Sequence, residues 1–208
     1  MKRLGILAPV GAAVFTLGWL ILGFVSPGYR LFDLVIEPYS PLAQPISGLG
    51  LGETGPVMNA AFILGGLLLV AGTIGIASSW PRTRLARVAL VLIGLSGVGL
   101  IVDGIFTLES VMLHLVGFLL AAPLPAVGFV LGGIALRRIR PRVATLLGVA
   151  GVSALVLFIV FQMIFDPYSA GDNAGVAGLV QRVLATVVVG TIGVLGVIVG
   201  RTPRTVER

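Results

Sequence analysis

Three ionisable side chains interrupt an apolar stretch of the chain, residues 102–118 (VDGIFTLESVMLHLVGF). Asp103 and Glu109 are carboxylic acids, and His114 is the only histidine in the sequence. A histidine held by a carboxylate can act as a general base, because the acid fixes the imidazole tautomer and stabilises its charged form. His114, with Asp103 or Glu109 as its orienting acid, is therefore the candidate catalytic pair.

The elements that position these residues are predicted to be membrane-spanning helices. The 208 residues are 57% hydrophobic and only 11% charged, a composition that excludes an ordinary soluble domain. A bilayer core about 30 Å thick requires roughly 20 apolar helical residues. Six segments meet this requirement, so we predict an all-α bundle forming a single transmembrane domain over residues 1–208, with Pro123 and Pro125 kinking the fourth helix. The predicted helices are residues 5–25, 57–77, 88–106, 111–136, 143–165 and 176–199.

The basic residues predict the orientation of the bundle. Of the 14 Lys and Arg residues, 12 lie at the two termini or in the connections after the second and fourth helices. The other connections carry carboxylates, namely Asp33, Glu37, Glu53, Glu109, Asp166 and Asp172. Because basic connections stay on the cytoplasmic side, both termini are predicted to be cytoplasmic. The net charge of +6 is then a topology signal, and nucleic acid is not a predicted partner.

The connection between the first two helices, residues 26–56, is long for a compact bundle and is a candidate functional loop. In YRLFDLVIEPYS, the residues Arg30, Asp33 and Glu37 recur at helical spacing, which predicts a short interfacial helix. The proline-rich remainder, PYSPLAQPISGLGLGETGP, is predicted to fold over the helix ends without regular helix.

Residue counting from the helix ends predicts one polar layer near the outer surface. Asp103 and His114 lie about equally far from the turn that joins the third and fourth helices. Gln162 and Arg182 reach the same depth on the fifth and sixth helices, and we predict that Arg182 pairs with Asp103 or Glu109. This layer predicts either a ligand cavity beneath the outer loop or a structural ion pair between helix ends.

Ser47, in the outer loop, is a further candidate ligand-binding residue. It lacks the G-x-S-x-G context of a hydrolase nucleophile, and a serine triad would have to recruit His114 from another helix. One histidine and no cysteine exclude a three-histidine zinc site, a bis-histidine haem and a thiolate site within one chain. We therefore predict no metal and no cofactor.

Three motifs resemble those of a prokaryotic family of six-helix membrane proteins, catalogued as domain of unknown function 998. They are YSPLAQPISGLGLGETGPVMNAAFILGG (39–66), GIFTLESVMLHLVG (104–117) and GLVQRV (178–183). The resemblance matches Pro45, Ile46, Ser47 and Gly50 to the family's outer-loop motif, His114 to its fourth-helix histidine and Arg182 to the basic residue that opens its last helix. The family pattern has a proline and an aspartate after the phenylalanine, whereas Phe106 is followed by Thr-Leu-Glu. The resemblance implies a six-span fold in a prokaryotic inner membrane, and it implies no reaction.

Three functions are open at this point. The leading hypothesis is a protein that binds or moves an amphipathic or lipid-like ligand in an outer-leaflet cavity, whose predicted lining is Ser47, Asp103, His114, Gln162 and Arg182. An alternative is a membrane-embedded, hydrolase-like enzyme that uses His114. A third is a structural subunit whose glycine-rich faces pair with a second copy or with another membrane protein. Membrane lipids are predicted partners.

Overall fold

Six helical segments are long and apolar enough to cross a membrane. The structure, a computed structural model, describes residues 2–165 and 173–201, so the predicted outer acids Asp166 and Asp172 and the basic Arg204 and Arg208 lie outside the described residues. The helices are α1 (Leu7–Val25), α2 (Gly55–Ala77), α3 (Arg84–Ile105), α4 (Val111–Ala121), α5 (Pro123–Leu136), α6 (Pro141–Ile164) and α7 (Ala177–Arg201). A 3₁₀ turn, Lys2–Ile6, precedes α1. The predicted six-helix fold is confirmed, with α4 and α5 together forming the fourth span.

The fourth span is broken at Ala122, as its prolines predict. Pro123 opens α5, and Pro125 has no N–H to donate to the carbonyl of Ala121. The hydroxyl of Ser96 on α3 donates to that carbonyl oxygen instead, at 3.0 Å. A neighbouring helix thus satisfies the backbone where no lipid could do so.

The helices form a closed ring of neighbours. Each packs against the next along the chain, and α7 returns to pack against α1. Glycines allow the closest approaches: a side chain at Gly66 or Gly97 would meet the backbone carbonyl of the other residue. One side of the bundle carries the connection between α1 and α2, together with the ends of the helices that bear Asp103, His114, Gln162 and Arg182. We call it the cap side, and the opposite side the arginine side.

Residues 26–54, here called the cap, fold onto the helix ends. They begin with an antiparallel hairpin of β1 (Tyr29–Leu31) and β2 (Leu34–Ile36), in which Tyr29 lies opposite Ile36. The short helix predicted from Arg30, Asp33 and Glu37 is therefore wrong. Two 3₁₀ helices follow, Ile46–Gly50 and Gly52–Thr54, and every residue of the first is buried. The cap is a packed part of the fold, as the proline-rich sequence predicts.

Candidate functional site

Three polar side chains from separate parts of the chain meet beneath the cap. Ser47 lies in the 3₁₀ helix Ile46–Gly50, Asp103 in the last turn of α3 and His114 in the first turn of α4. Nε2 of His114 lies 2.8 Å from Oγ of Ser47. Nδ1 of the same ring lies 2.8 Å from the carbonyl oxygen of Phe106 and 3.5 Å from Oδ1 of Asp103. All three side chains are buried.

The hydrogen bonds assign the tautomer of His114. A carbonyl oxygen can only accept, so Nδ1 must carry the proton that is donated to Phe106. In the neutral imidazole, Nε2 is then an acceptor, and the hydroxyl of Ser47 donates to it. This is the arrangement in which a histidine can withdraw a proton from a serine.

Asp103 lies beside this histidine. Its Oδ1 is buried and, within the described part of the chain, has no hydrogen-bond partner. The space that it occupies exists because residue 117, one turn after His114 on α4, is a glycine; a Cβ at Gly117 would overlap Oδ1 of Asp103. A carboxyl oxygen at this position favours a positive charge on the imidazole.

A cavity of about 390 Å³ opens beside Ser47 and His114. Its polar lining consists of Ser47, His114, Gln162 and Gln181. The rest of its lining comes mainly from the hairpin, α4 and α6, and consists of Tyr29, Leu31, Phe32, Leu34, Ile36, Pro45, Leu108, Val111, Leu115, Phe118, Phe161 and Phe165. A smaller cavity of about 40 Å³ also borders Ser47, and its polar lining residues are Asp103, Ser47 and Gln181.

Hydrogen bonds from α2 and α7 hold the segment that carries Ser47. The N–H of Ile46 donates to Oε1 of Gln181 at 2.6 Å. At the end of the same 3₁₀ helix, Nδ2 of Asn59 donates to the carbonyl of Gly50 at 3.0 Å. The backbone around Ser47 is therefore held by α2 and α7, independently of the hydrogen bond between the Ser47 hydroxyl and His114.

A second polar network closes the cap around Gln44. The hydroxyl of Tyr29 donates to Oε1 of Gln44 at 2.8 Å, and Nε2 of Gln44 donates to Oδ1 of Asn173 at 2.9 Å. Asn173 in turn donates to the carbonyl of Pro38 at 2.6 Å. Burial raises the pKa of the Tyr29 phenol, and the neighbouring Tyr39 adds to this effect. Tyr29 therefore stays a donor well into the alkaline range.

Arg182 has different partners from those predicted for it. It pairs with no carboxylate among the described residues; its Nη1 donates to the carbonyls of Pro41 (2.6 Å), Gln44 (2.8 Å) and Gly178 (3.0 Å). Its Nη2 donates to the hydroxyl of Tyr39 at 2.5 Å. The guanidinium lines a different cavity, beside Trp19 and Leu42, so the prediction that Arg182 pairs with Asp103 or Glu109 is wrong.

Of the other predicted site residues, one lies in the large cavity and one at the surface. Gln162 lines the large cavity together with Ser47 and His114, whereas Glu109 is exposed in the turn between α3 and α4 and accepts a bond from the hydroxyl of Thr107 at 3.4 Å. Asp103, and not Glu109, lies beside His114. Across residues 2–165 and 173–201, no group of three His, Cys, Asp or Glu side chains is placed to hold a metal ion.

Sequence reasoning missed Gln181, which lines both cavities and fixes the Ser47 segment. Consecutive helical residues point about 100° apart, so only one of Gln181 and Arg182 can face Ser47. A signal was present, because two adjacent polar residues early in an apolar span require two separate sets of partners.

The comparisons with known proteins identify a family. The family model described as "Protein of unknown function (DUF998)" matches residues 9–198. No curated protein and no solved structure matches the chain. The matched range covers the four middle spans in full, most of the first and the last span, the cap, and the residues around Ser47, His114 and Arg182. The chain therefore belongs to the DUF998 family of membrane-spanning proteins.

Proposed function

We propose that this protein binds an amphipathic, lipid-like molecule in the large cavity beneath the cap. The observation that carries the proposal is the lining: aromatic and aliphatic walls from the hairpin, α4 and α6 converge on Ser47, His114, Gln162 and Gln181. A volume of about 390 Å³ lies within the usual range of ligand sites, which combine apolar walls with a few placed polar groups. The walls suit an acyl chain, and the polar end suits an ester or headgroup.

The proposed ligand comes from the outer leaflet of a prokaryotic inner membrane. The connections on the arginine side carry Arg82, Arg137, Arg138 and Arg140, whereas the cap side carries Asp33, Glu37, Glu53 and Glu109. The positive-inside rule then places the arginine side and both termini in the cytoplasm. The cavity, being on the cap side, faces outward.

Native mass spectrometry of the protein after gentle detergent extraction tests the proposal. We expect a retained small molecule with the mass of a lipid. Leu115→Trp should reduce its occupancy, because Leu115 lines the cavity and a larger side chain would fill it. Leu113→Trp is the matched control: Leu113 lies on the same helix, is 47% exposed against 42% for Leu115, and does not line the cavity.

Equal occupancy in the wild type, Leu115→Trp and Leu113→Trp would show that the molecule sits elsewhere. A protein that retains no lipid and acquires none from vesicles of bacterial phospholipids would refute the binding function.

A further inference from the structure

Ser47 and His114 form a hydrogen bond that ligand binding alone does not require. Their hydrogen bond of 2.8 Å joins a hydroxyl donor to an unprotonated ring nitrogen, with Nδ1 held on its far side by the Phe106 carbonyl. Both residues line the proposed ligand cavity. A buried carboxyl oxygen that lacks a hydrogen bond lies 3.5 Å from Nδ1.

We infer that Ser47 is a nucleophile and His114 its general base, and that together they hydrolyse a carboxylic ester of the amphipathic molecule bound in the cavity. The inference rests on the proposed function, because the cavity must first place the ester carbonyl beside Ser47. The substrate class follows from the lining: the apolar walls take an acyl chain, and the polar groups meet the ester at its end.

The reaction needs only the ester and water. Oγ of Ser47 attacks the ester carbon as Nε2 of His114 takes the hydroxyl proton. The tetrahedral intermediate collapses, the carbon–oxygen bond to the alcohol breaks, and the leaving alkoxide takes that proton from His114. Water then attacks the acyl group on Ser47 and gives a proton to His114, which returns it to Oγ as the carboxylic acid leaves. One ester and one water become one acid and one alcohol.

Gln181 can supply the donor for the negative oxygen that forms during attack. It lines the same two cavities as Ser47. Because its Oε1 accepts the N–H of Ile46, its amide nitrogen is left to donate. A donor fixed in advance toward a developing oxyanion is among the strongest contributions to acyl transfer.

Asp103 acts through His114 as a positioning residue. Its carboxyl group lies beside Nδ1, where the charge of the imidazolium develops when Nε2 takes the proton. This interaction strengthens only during the reaction, so it lowers the barrier more than it stabilises the resting state. Its loss is expected to lower kcat for a long-chain ester at least tenfold with KM unchanged.

The first experiment treats the full-length protein in detergent with a long-chain alkyl fluorophosphonate, which serine nucleophiles attack with loss of fluoride. Intact mass followed by peptide mapping should show one adduct, on Ser47. His114→Gln preserves hydrogen-bonding groups but not a base, so its labelling should be slower by about 10²–10⁴-fold. Ser40→Ala is the control, because it removes a half-buried cap serine outside the cavity and should label as the wild type does.

The second experiment measures hydrolysis of a long-chain p-nitrophenyl ester by the wild type, Ser47→Ala and Asp103→Asn, and native mass spectrometry of the same samples. Ser47→Ala should keep its bound lipid but lose hydrolysis. A wild type that retains lipid yet is neither labelled at Ser47 nor active would overturn the catalytic inference and leave the binding function standing. Loss of bound lipid in the wild type itself would instead refute the binding function. Labelling that His114→Gln does not slow would show that the Ser47–His114 bond only fastens the cap.

Discussion

Arg182 is a buried cation that is stabilised by neutral groups. Three backbone carbonyls and a phenol accept its hydrogen bonds, and its guanidinium carbon lies 5.6 Å from the ring centroid of Trp19 and 5.7 Å from that of Tyr39. Carbonyl dipoles and aromatic faces both attract positive charge. Because two of the carbonyls belong to the cap and one to α7, Arg182 fastens the cap to the last span.

We expect Arg182→Leu to destabilise the protein by about 3 kcal/mol or more, since it strands several buried carbonyls and each such acceptor costs roughly 1–3 kcal/mol. Arg182→Lys should recover only part of this loss, because an ammonium cannot reproduce the planar fork. Thermal unfolding in one detergent is the measurement, with Arg138→Leu, which removes an exposed charge, as the control. Equal midpoints for Arg182→Leu and Arg138→Leu would contradict this account.

Gly117 makes room for the acid beside His114. We expect Gly117→Ala to destabilise the protein by about 1–3 kcal/mol, as overpacking does, because its Cβ would overlap Oδ1 of Asp103. Gly190→Ala in α7 is the matched control: a Cβ there meets nothing within 4 Å, and alanine has the higher helix propensity. Unfolding midpoints should therefore move in opposite directions, and a shared direction would refute the tight fit around Asp103.

Part of the site could be read from the sequence and part could not. The turn between α3 and α4 fixes the relative depth of Asp103 and His114, because both are counted from the same point. The direction of Arg182 could not be predicted, since a span that is apolar on all faces has no hydrophobic periodicity to orient it. The contact between Ser47 and His114 spans 67 residues and depends on how the cap folds, which no local pattern specifies.

At the scale of elements, the hairpin shows why helical spacing was misleading. Only nine residues separate Gly28 from Pro38, which is short for an interfacial helix. Tyr29 and Ile36 are 4% and 1% exposed and lie opposite each other across the two strands. Gly28, at φ +137°, permits the entry to the hairpin, where a side chain would meet the carbonyl of Ile36. The burial of Tyr29 and Ile36 as a cross-strand pair favours the hairpin, and it outweighs the helix that the spacing of the charged residues predicted.

Tyr29 links this hairpin to the rest of the cap, and its ionisation should open that link. Burial raises its folded-state pKa above the unfolded value of about 10. The stabilisation is therefore complete below about pH 10 and is lost as the pH rises through the folded-state pKa. We expect the unfolding midpoint of the wild type to fall more steeply above pH 10 than that of Tyr29→Phe. At neutral pH, Tyr29→Phe should be less stable by about 1 kcal/mol, because Gln44 loses a donor. Parallel pH profiles would contradict the assignment.

At the scale of the whole molecule, the six-span architecture follows from physical constraints that the sequence states directly. Each span must satisfy its own backbone in lipid, so length and hydropathy identify it. The fourth span is interrupted at Ala122, but its backbone is still satisfied. Ser96 donates to the carbonyl of Ala121, which Pro125 cannot do. The cap is the part that these constraints leave undetermined, and it contributes the hairpin residues and Ser47 to the lining of the cavity.

The orientation of the bundle decides which leaflet faces the cavity proposed to bind a lipid-like molecule, and introduced cysteines can measure that orientation. The sequence contains no cysteine, so single-cysteine variants report one position each. We expect a membrane-impermeant thiol reagent added to intact cells to label Glu53→Cys and Glu109→Cys, which are exposed on the cap side. Arg82→Cys and Ile139→Cys, exposed on the arginine side, should react only after the membrane is permeabilised, because basic connections remain cytoplasmic. Labelling of Ile139→Cys in intact cells, with Glu53→Cys protected, would show that the orientation is the reverse of the one proposed. The inner leaflet would then be the source of the proposed ligand.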